Sequence, residues 1–312
     1  MEKDLIIGGA SNYDYEKLQY WVNSIKQTEF SGDIVICATN ITKETIDKLS
    51  KKNVTVYAYG VPDGNGGFKS ETRLAPHVER FFYLWGFLNE HRENYRYVVV
   101  TDTRDVIFQT NPSDFLLENL KVTNSLICSS EGLLYKDEPW GDKNLLDTFG
   151  PFFHNIYREE MIYNVGTIAG MSEDVAALLL MIFQLSINRH TPIVDQAVFN
   201  FIVNQLPYSA EIQKSTNEDG WAIQLGTIRK AVEAGFGEIG QRAKTDPKQL
   251  EQYDKNYRDV QPVINDHIVA TPKGDKYCIV HQWDRVPELK EKVLKFYGDE
   301  AGEGVISFQT SN

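Results

Sequence analysis

The chain has 312 residues, 42% of them hydrophobic and 24% charged, and a formal net charge of −12. That mix suits a folded globular protein and excludes a collagen, a long coiled coil and a disordered chain. The acidity argues against a general nucleic-acid binder and against broad attraction to anionic membranes, since both need clustered Lys and Arg.

Asp4–Gly9 is an apolar run ending in Gly8-Gly9, which predicts a buried strand entering a loop. Tyr15–Gln27 sets Leu18, Trp21, Val22 and Ile25 on one face, the spacing of a helix. Ile34–Ala38 reads as a second buried strand, Thr42–Lys51 as a helix opened by Thr42, and Val54–Tyr59 as a third strand. This alternation predicts an α/β fold with a mostly parallel sheet and right-handed crossovers. Gly60–Gly67 carries four glycines and reads as a loop. Pro76–Glu90 returns to helical spacing through Phe81, Leu84, Trp85 and Leu88. Tyr97–Thr101 is an apolar strand running directly into Asp102-Thr103-Arg104-Asp105.

Asn111-Pro112 marks a turn, Ser125–Ser130 a strand, and Tyr163–Met171 a strand bordering a small-residue turn. Glu173–Ser186 and Asp195–Asn204 read as helices, Ala222–Thr227 and Tyr277–His281 as strands. Gly235–Pro262 is charged and weakly periodic, the pattern of a surface insertion. Apolar runs such as Val175–Leu185 fall short of the ~20 residues of a membrane span. Cys37, Cys128 and Cys278 lie far apart without a Cys-x-x-Cys pair, which suits a reducing compartment. The first residues, Met1–Ile7, show no signal-peptide pattern, so a soluble, cytoplasmic protein is expected.

Ligands of open α/β sheets bind beyond the carboxyl ends of the strands, where Asp102, Arg104 and Asp105 fall. Carboxylate oxygens suit Mg²⁺ and Mn²⁺, and a guanidinium suits phosphate. The same residues also read as an Asx turn with a surface Arg–Asp pair. Asn164 and Gly166 read as a tight turn. Asp195 and Gln196 read as a helix start. Glu131 is a lone carboxylate after a strand. A lone His at a strand end, here His281, is more often structural than a ligand. The other five histidines form no metal-ligand spacing. Trp140 and Trp221 are candidates for stacking on a ligand or for the core, with the core the stronger reading for Trp140.

Six segments follow one another along the chain: Leu5-Ile6-Ile7-Gly8-Gly9-Ala10, Arg80-Phe81-Phe82-Tyr83-Leu84, Asp102-Thr103-Arg104-Asp105, Tyr163-Asn164-Val165-Gly166-Thr167, Asp195-Gln196-Ala197-Val198-Phe199-Asn200 and Val280-His281-Gln282-Trp283. In these the chain resembles a nucleotide-sugar-dependent glycosyltransferase of the GT-A fold. The resemblance is nearest to the retaining group with glycogenin and the lipopolysaccharide galactosyltransferases. It implies a Rossmann-like, mostly parallel mixed sheet flanked by helices, in a single large domain with C-terminal additions. Residues 1–115 would form a nucleotide-sugar-binding half and 116–312 an acceptor-binding half, with a surface insertion at 235–262.

The implied reaction moves a sugar from a nucleoside diphosphate sugar, expected to be UDP-linked, to a hydroxyl of a glycan or other acceptor, with retention. The implied cofactor is Mn²⁺ or Mg²⁺, held by Asp102, Asp105 and His281. Gly8, Gly9, Ala10, Tyr13, Arg80, Asp102, Thr103, Arg104, Asn164 and Gly166 would bind the nucleotide sugar. Asp195, Gln196 and Glu131 would be catalytic. One departure stands out: the family has Asp-x-Asp, whereas this chain has Arg104 in place of the second carboxylate and Asp105 one residue on. Either Asp105 reaches the metal with Asp102 on the ribose or the metal, or Arg104 replaces the cation altogether. A sugar-phosphate nucleotidyltransferase is an alternative, disfavoured because Gly8–Asn12 carries no basic residue. A non-catalytic nucleotide- or glycan-binding module is another.

Overall fold

The computed structural model describes residues 3–299. The first half alternates as expected: β1 (Lys3–Ser11), α1 (Tyr15–Gln27), β2 (Asp33–Thr39), α2 (Lys43–Lys51), β3 (Thr55–Ala58), α3 (Pro76–His91) and β4 (Tyr95–Thr101). Asp14 and Thr42 accept the Lys17 and Thr45 backbone N–H groups and so cap α1 and α2. Then come β5 (Val106–Phe108), α4 (Pro112–Asn119), β6 (Leu126–Leu134), α5 (Pro139–Tyr157), β7 (Met161–Tyr163), β8 (Thr167–Met171), α6 (Ser172–Ser186) and α7 (Asp195–Val203). The remainder used below is β9 (Ile212–Ser215), β10 (Ala222–Gln224), α8 (Gly237–Thr245), α9 (Lys248–Asn256), β11 (Ile279–His281) and α10 (Pro287–Tyr297).

The main sheet runs in the order β9-β6-β8-β4-β1-β2-β3, with β7 paired to β6. β1 is parallel to β2 and β4, whereas β8 is antiparallel to both β4 and β6. The architecture is thus the expected mixed α/β fold, a mostly parallel sheet flanked by helices. Helices cover both faces. Val98 and Val100 of β4 pack with Phe81, Leu84, Leu178 and Val198 on one face. Val99 packs with Trp21, Val22 and Ile36 on the other, so β4 has no polar side and reads as a continuous apolar run. A second, small sheet, β10-β11-β5, lies beside it and returns the late part of the chain to the end of β4.

Several elements differ from the sequence expectation. Asn111-Pro112 does not end in a turn: Asn111 caps α4 and Pro112 is its first residue, where a missing N–H costs nothing. β6 continues past Ser130 through Glu131 to Leu134, with an irregular register against β7 and Gly132 at φ 75°. The expected strand Tyr163–Met171 is split by Asn164-Val165-Gly166 into β7 and β8. Helix α5 was not expected; Gly150, at φ 76°, breaks it just before Pro151. Within 235–262 lie α8 and α9, whose weak periodicity reflects a small contact surface in which Tyr253 packs with Leu133 and Val232. No helix among the described residues is long and apolar enough to cross a membrane.

Candidate functional site

β1 and β4 are parallel neighbours, so their carboxyl ends meet at one sheet edge, with Gly8 opposite Thr101. Gly8 permits this approach: an added Cβ would lie 2.3 Å from Thr103 Cγ2 and 2.8 Å from the Thr101 carbonyl. Thr103 is buried and donates its hydroxyl to the Gly9 carbonyl at 3.0 Å, tying the acidic turn to the end of β1. Beneath it, Trp21 Nε1 donates to Thr101 Oγ1 at 2.8 Å. The Asp102 N–H donates to the Gly166 carbonyl, which joins the β7–β8 turn to the same edge. β11 then delivers His281, and the Gln282 N–H donates to the Asp105 carbonyl at 2.7 Å.

Asp102, Asp105 and His281 therefore converge, with one potential ligand atom from each within 4.8 Å of the others. His281 Nε2 lies 3.4 Å from Asp102 Oδ2 and 3.6 Å from Asp105 Oδ1. Its Nδ1 lies 2.7 Å from Gln224 Oε1. Burial opposes a charged imidazole, but the two carboxylates outweigh it and raise His281 to about 9. Burial likewise opposes ionisation of Asp102, yet Arg80 and His281 hold it well below the usual carboxylate range. Asp105 is also lowered, with His281 overcoming burial. The donor set fits a divalent cation: two carboxylates and one imidazole nitrogen, converging at a strand end.

Arg80 of α3 bridges two of the expected site residues. It pairs with Asp102 through Nη1 and with Asp195 through Nη2, the latter at 3.0 Å. Arg104 pairs with Asp105 at 2.9 Å and lies 3.6 Å from Asp284. Glu131 Oε1 accepts from Asn164 Nδ2 at 2.7 Å and Gln196 Nε2 at 2.9 Å. Gln196 Oε1 accepts the Val165 N–H, and Asn164 Oδ1 accepts the Gly166 N–H. Burial pushes the Glu131 carboxyl up, partly opposed by Asn164.

Two cavities meet at this cluster. The first, about 460 Å³, is lined by Gly9, Ala10, Tyr13, Arg80, Asp102, Thr103, Arg104 and Asp105 among others. The second, about 330 Å³, is lined by Glu131, Asn164, Gly166, Asp195 and Gln196 among others. His77, Arg80, Asp102, His281, Gln282 and Arg285 line both. Gly8 is not a lining residue of either; it acts through its contact with Thr103. The structure thus brings the expected residues to one edge but sorts them into two chambers.

Sequence reasoning missed Gln224, whose partnership with His281 spans 57 residues. It also missed Glu138, which caps α5 through the Trp140 and Gly141 N–H groups and lines the second cavity. Its side-chain oxygen four residues before Asp142 carries no motif that would have marked it. The core reading fails for Trp140 and holds for Trp221. Trp221 is fully buried beside Phe115, whereas Trp140 is 44% exposed at the second cavity. A strand-leading position buries the first, and the second residue of an edge helix leaves the other open.

No family model and no curated protein matches the chain. Among solved structures it is similar to the apo form of WbbM, a bifunctional glycosyltransferase. The TM-score is 0.56 and the identity 11%, over 96% of this chain. The match covers 50% of that protein's chain, so this chain spans about half its length. At that identity the likeness is one of architecture: this chain has a glycosyltransferase-like, Rossmann-like α/β fold.

Proposed function

We propose that the protein is a glycosyltransferase of the GT-A type, moving a sugar from a nucleoside diphosphate sugar to a hydroxyl acceptor with retention. The observation that carries this reading is the cluster of Asp102, Asp105 and His281 where the two cavities meet. A site for a diphosphate lies between a chamber for a nucleoside and a chamber for a sugar. Mn²⁺ or Mg²⁺ held by these three residues would neutralise charge developing on the departing diphosphate.

The chain's own residues divide the remaining work. The end of β1, from Gly9 to Ser11, and Tyr13 line the nucleoside chamber, which suits a uridine-sized base and ribose. Arg104, half-exposed at the mouth of that chamber, faces the diphosphate. Arg80 is taken up by Asp102 and Asp195, so it holds the two chambers in register instead of binding phosphate itself. Asp195 and Gln196 hold the sugar, with Glu131 and Asn164 bracing Gln196. In the transfer, the acceptor oxygen forms a bond to the anomeric carbon as the bond from that carbon to the phosphate oxygen breaks. The acceptor proton passes to the departing phosphate oxygen, so no protein base is required.

The test is nucleotide-sugar hydrolysis with and without Mn²⁺. Asp105→Ala is expected to abolish the Mn²⁺-dependent rate while leaving the far-ultraviolet circular dichroism unchanged. Full activity in that variant would remove Asp105 from the metal site. Pyrophosphate-dependent reversal in the wild type would instead identify a nucleotidyltransferase.

A further inference from the structure

We infer that the outer end of the second cavity is a saccharide acceptor subsite built on Trp140, selective for neutral or amino sugars over acidic ones. The inference rests on the transfer reading for the acceptor's place in the reaction, but the binding it describes stands on separate residues.

The first observation is the exposure of one aromatic face. Trp21, Trp221 and Trp283 are buried in the cores, whereas Trp140 is 44% exposed and lines the cavity. Ile193, also exposed, and Phe236 line the same end. The Phe236 ring is placed by its neighbours: Gly235 at φ 87° and Gly237 at φ 66° hold a backbone that other residues rarely adopt. The Arg285 guanidinium lies 5.8 Å from that ring, on the side nearest the metal cluster. A pyranose ring presents a face of C–H groups flanked by hydroxyls. Such a face buries apolar area against an indole while its rim stays polar, the match an amphipathic aromatic makes well.

The second observation is the charge of the second cavity. Among the described residues, each charged residue that lines the second cavity and not the first is a carboxylate: Glu131, Glu138 and Asp195. The basic side chains of the cavity, His77, Arg80, His281 and Arg285, all line the first chamber as well. Carboxylates accept hydrogen bonds from sugar hydroxyls and from an ammonium group, and repel a uronate.

The third observation is rigidity. Glu138 caps α5, and Asn144, four residues after Trp140, donates to the Ile193 carbonyl at 2.6 Å, so Trp140 and Ile193 are held on one frame. A preformed apolar wall avoids the ordering cost of building one around the ligand.

The test is a printed panel of neutral, 2-amino and uronate oligosaccharides, bound by the full chain, by Trp140→Ala and by Trp140→Phe. The expected result is binding to neutral or amino glycans and not to uronates, weakened about tenfold or more in Trp140→Ala and largely kept in Trp140→Phe. Equal binding of uronates, unchanged binding in Trp140→Ala, or binding of no glycan would overturn the inference. Nucleotide-sugar hydrolysis is measured on the same preparations. Trp140-dependent, charge-selective binding without hydrolysis would retire the transfer reading and keep the subsite.

Discussion

Gln224 Oε1 lies 2.7 Å from His281 Nδ1, while the same amide's Nε2 donates to Ser129 Oγ at 2.6 Å and Thr167 Oγ1 at 2.8 Å. The two hydroxyls orient the amide, and the amide oxygen then requires a proton on Nδ1 of the imidazole. Nε2 is left to face Asp102 and Asp105. This is the arrangement in which an outer hydrogen bond fixes the tautomer of a metal-binding histidine. Gln224→Leu is expected to weaken Mn²⁺ binding by about 10–100-fold. Isothermal titration checks this, and unchanged affinity would separate Gln224 from the metal site.

Gly166 is packed against the cluster itself. An added Cβ would lie 2.9 Å from His281 Cε1, 3.0 Å from Asp102 Oδ2 and 3.0 Å from Asn164 Oδ1. Gly166→Ala must therefore displace His281, Asp102, Asn164 or more than one of them. A displacement approaching 1 Å costs on the order of 100-fold in rate. The expected outcome is a folded protein whose nucleotide-sugar turnover falls to near one per cent, measured beside its thermal midpoint.

Arg80 joins Asp102 and Asp195 with two nitrogens of one planar group. An ammonium group cannot reproduce that fork, so Arg80→Lys is expected to lose turnover despite keeping its charge. Arg80→Ala leaves the buried Asp195 without its cation and Asp102 with His281 alone, and is expected to destabilise the fold by about 3–5 kcal/mol. Adding Asp195→Asn to Arg80→Ala should return part of that loss. A urea-denaturation cycle over the four proteins reads the coupling, and strict additivity would show that the bridge is not formed.

Glu138 provides a pH dependence away from Asp102, Asp105 and His281. Burial raises its carboxyl to about 7, against the Gly141 N–H that favours the charged form. The folded value thus lies above the unfolded one, near 4.5. Ionisation is resisted by the fold, so the wild type should lose stability relative to Glu138→Gln as pH rises from about 4.5 to about 7, and no further above that. Glutamine keeps an acceptor for the helix cap. Denaturation midpoints of both proteins at about pH 5 and pH 8 measure the difference, which must grow with pH.

Local pattern sufficed for the elements whose residues carry their own period. Leu18, Trp21, Val22 and Ile25 define α1, and Val98–Val100 define a strand buried on both faces, because burial on one or two sides leaves a mark within a few residues. The acidic turn at Asp102–Asp105 and the late His281 were legible as residue types at a strand end. Helix α5 was not, since Gly150-Pro151 breaks its period and its apolar residues face a small separate core with Phe201. α8 and α9 were missed because their contact surface is too narrow to impose a pattern.

What the sequence by itself determined was the α/β order of the chain and the set of side chains able to do phosphate, metal and sugar chemistry. The tertiary structure alone decided which of them meet. It paired Arg80 with Asp102 and, across 115 residues, with Asp195, and supplied Gln224 to His281 from a neighbouring strand. It opened Trp140 to a cavity and closed Trp221 into the core. Chemical capacity is a property of each residue, whereas hydrogen-bond partners, charge neutralisation and exposure depend on elements distant in sequence. Those are set by sheet order and packing, which no local window contains.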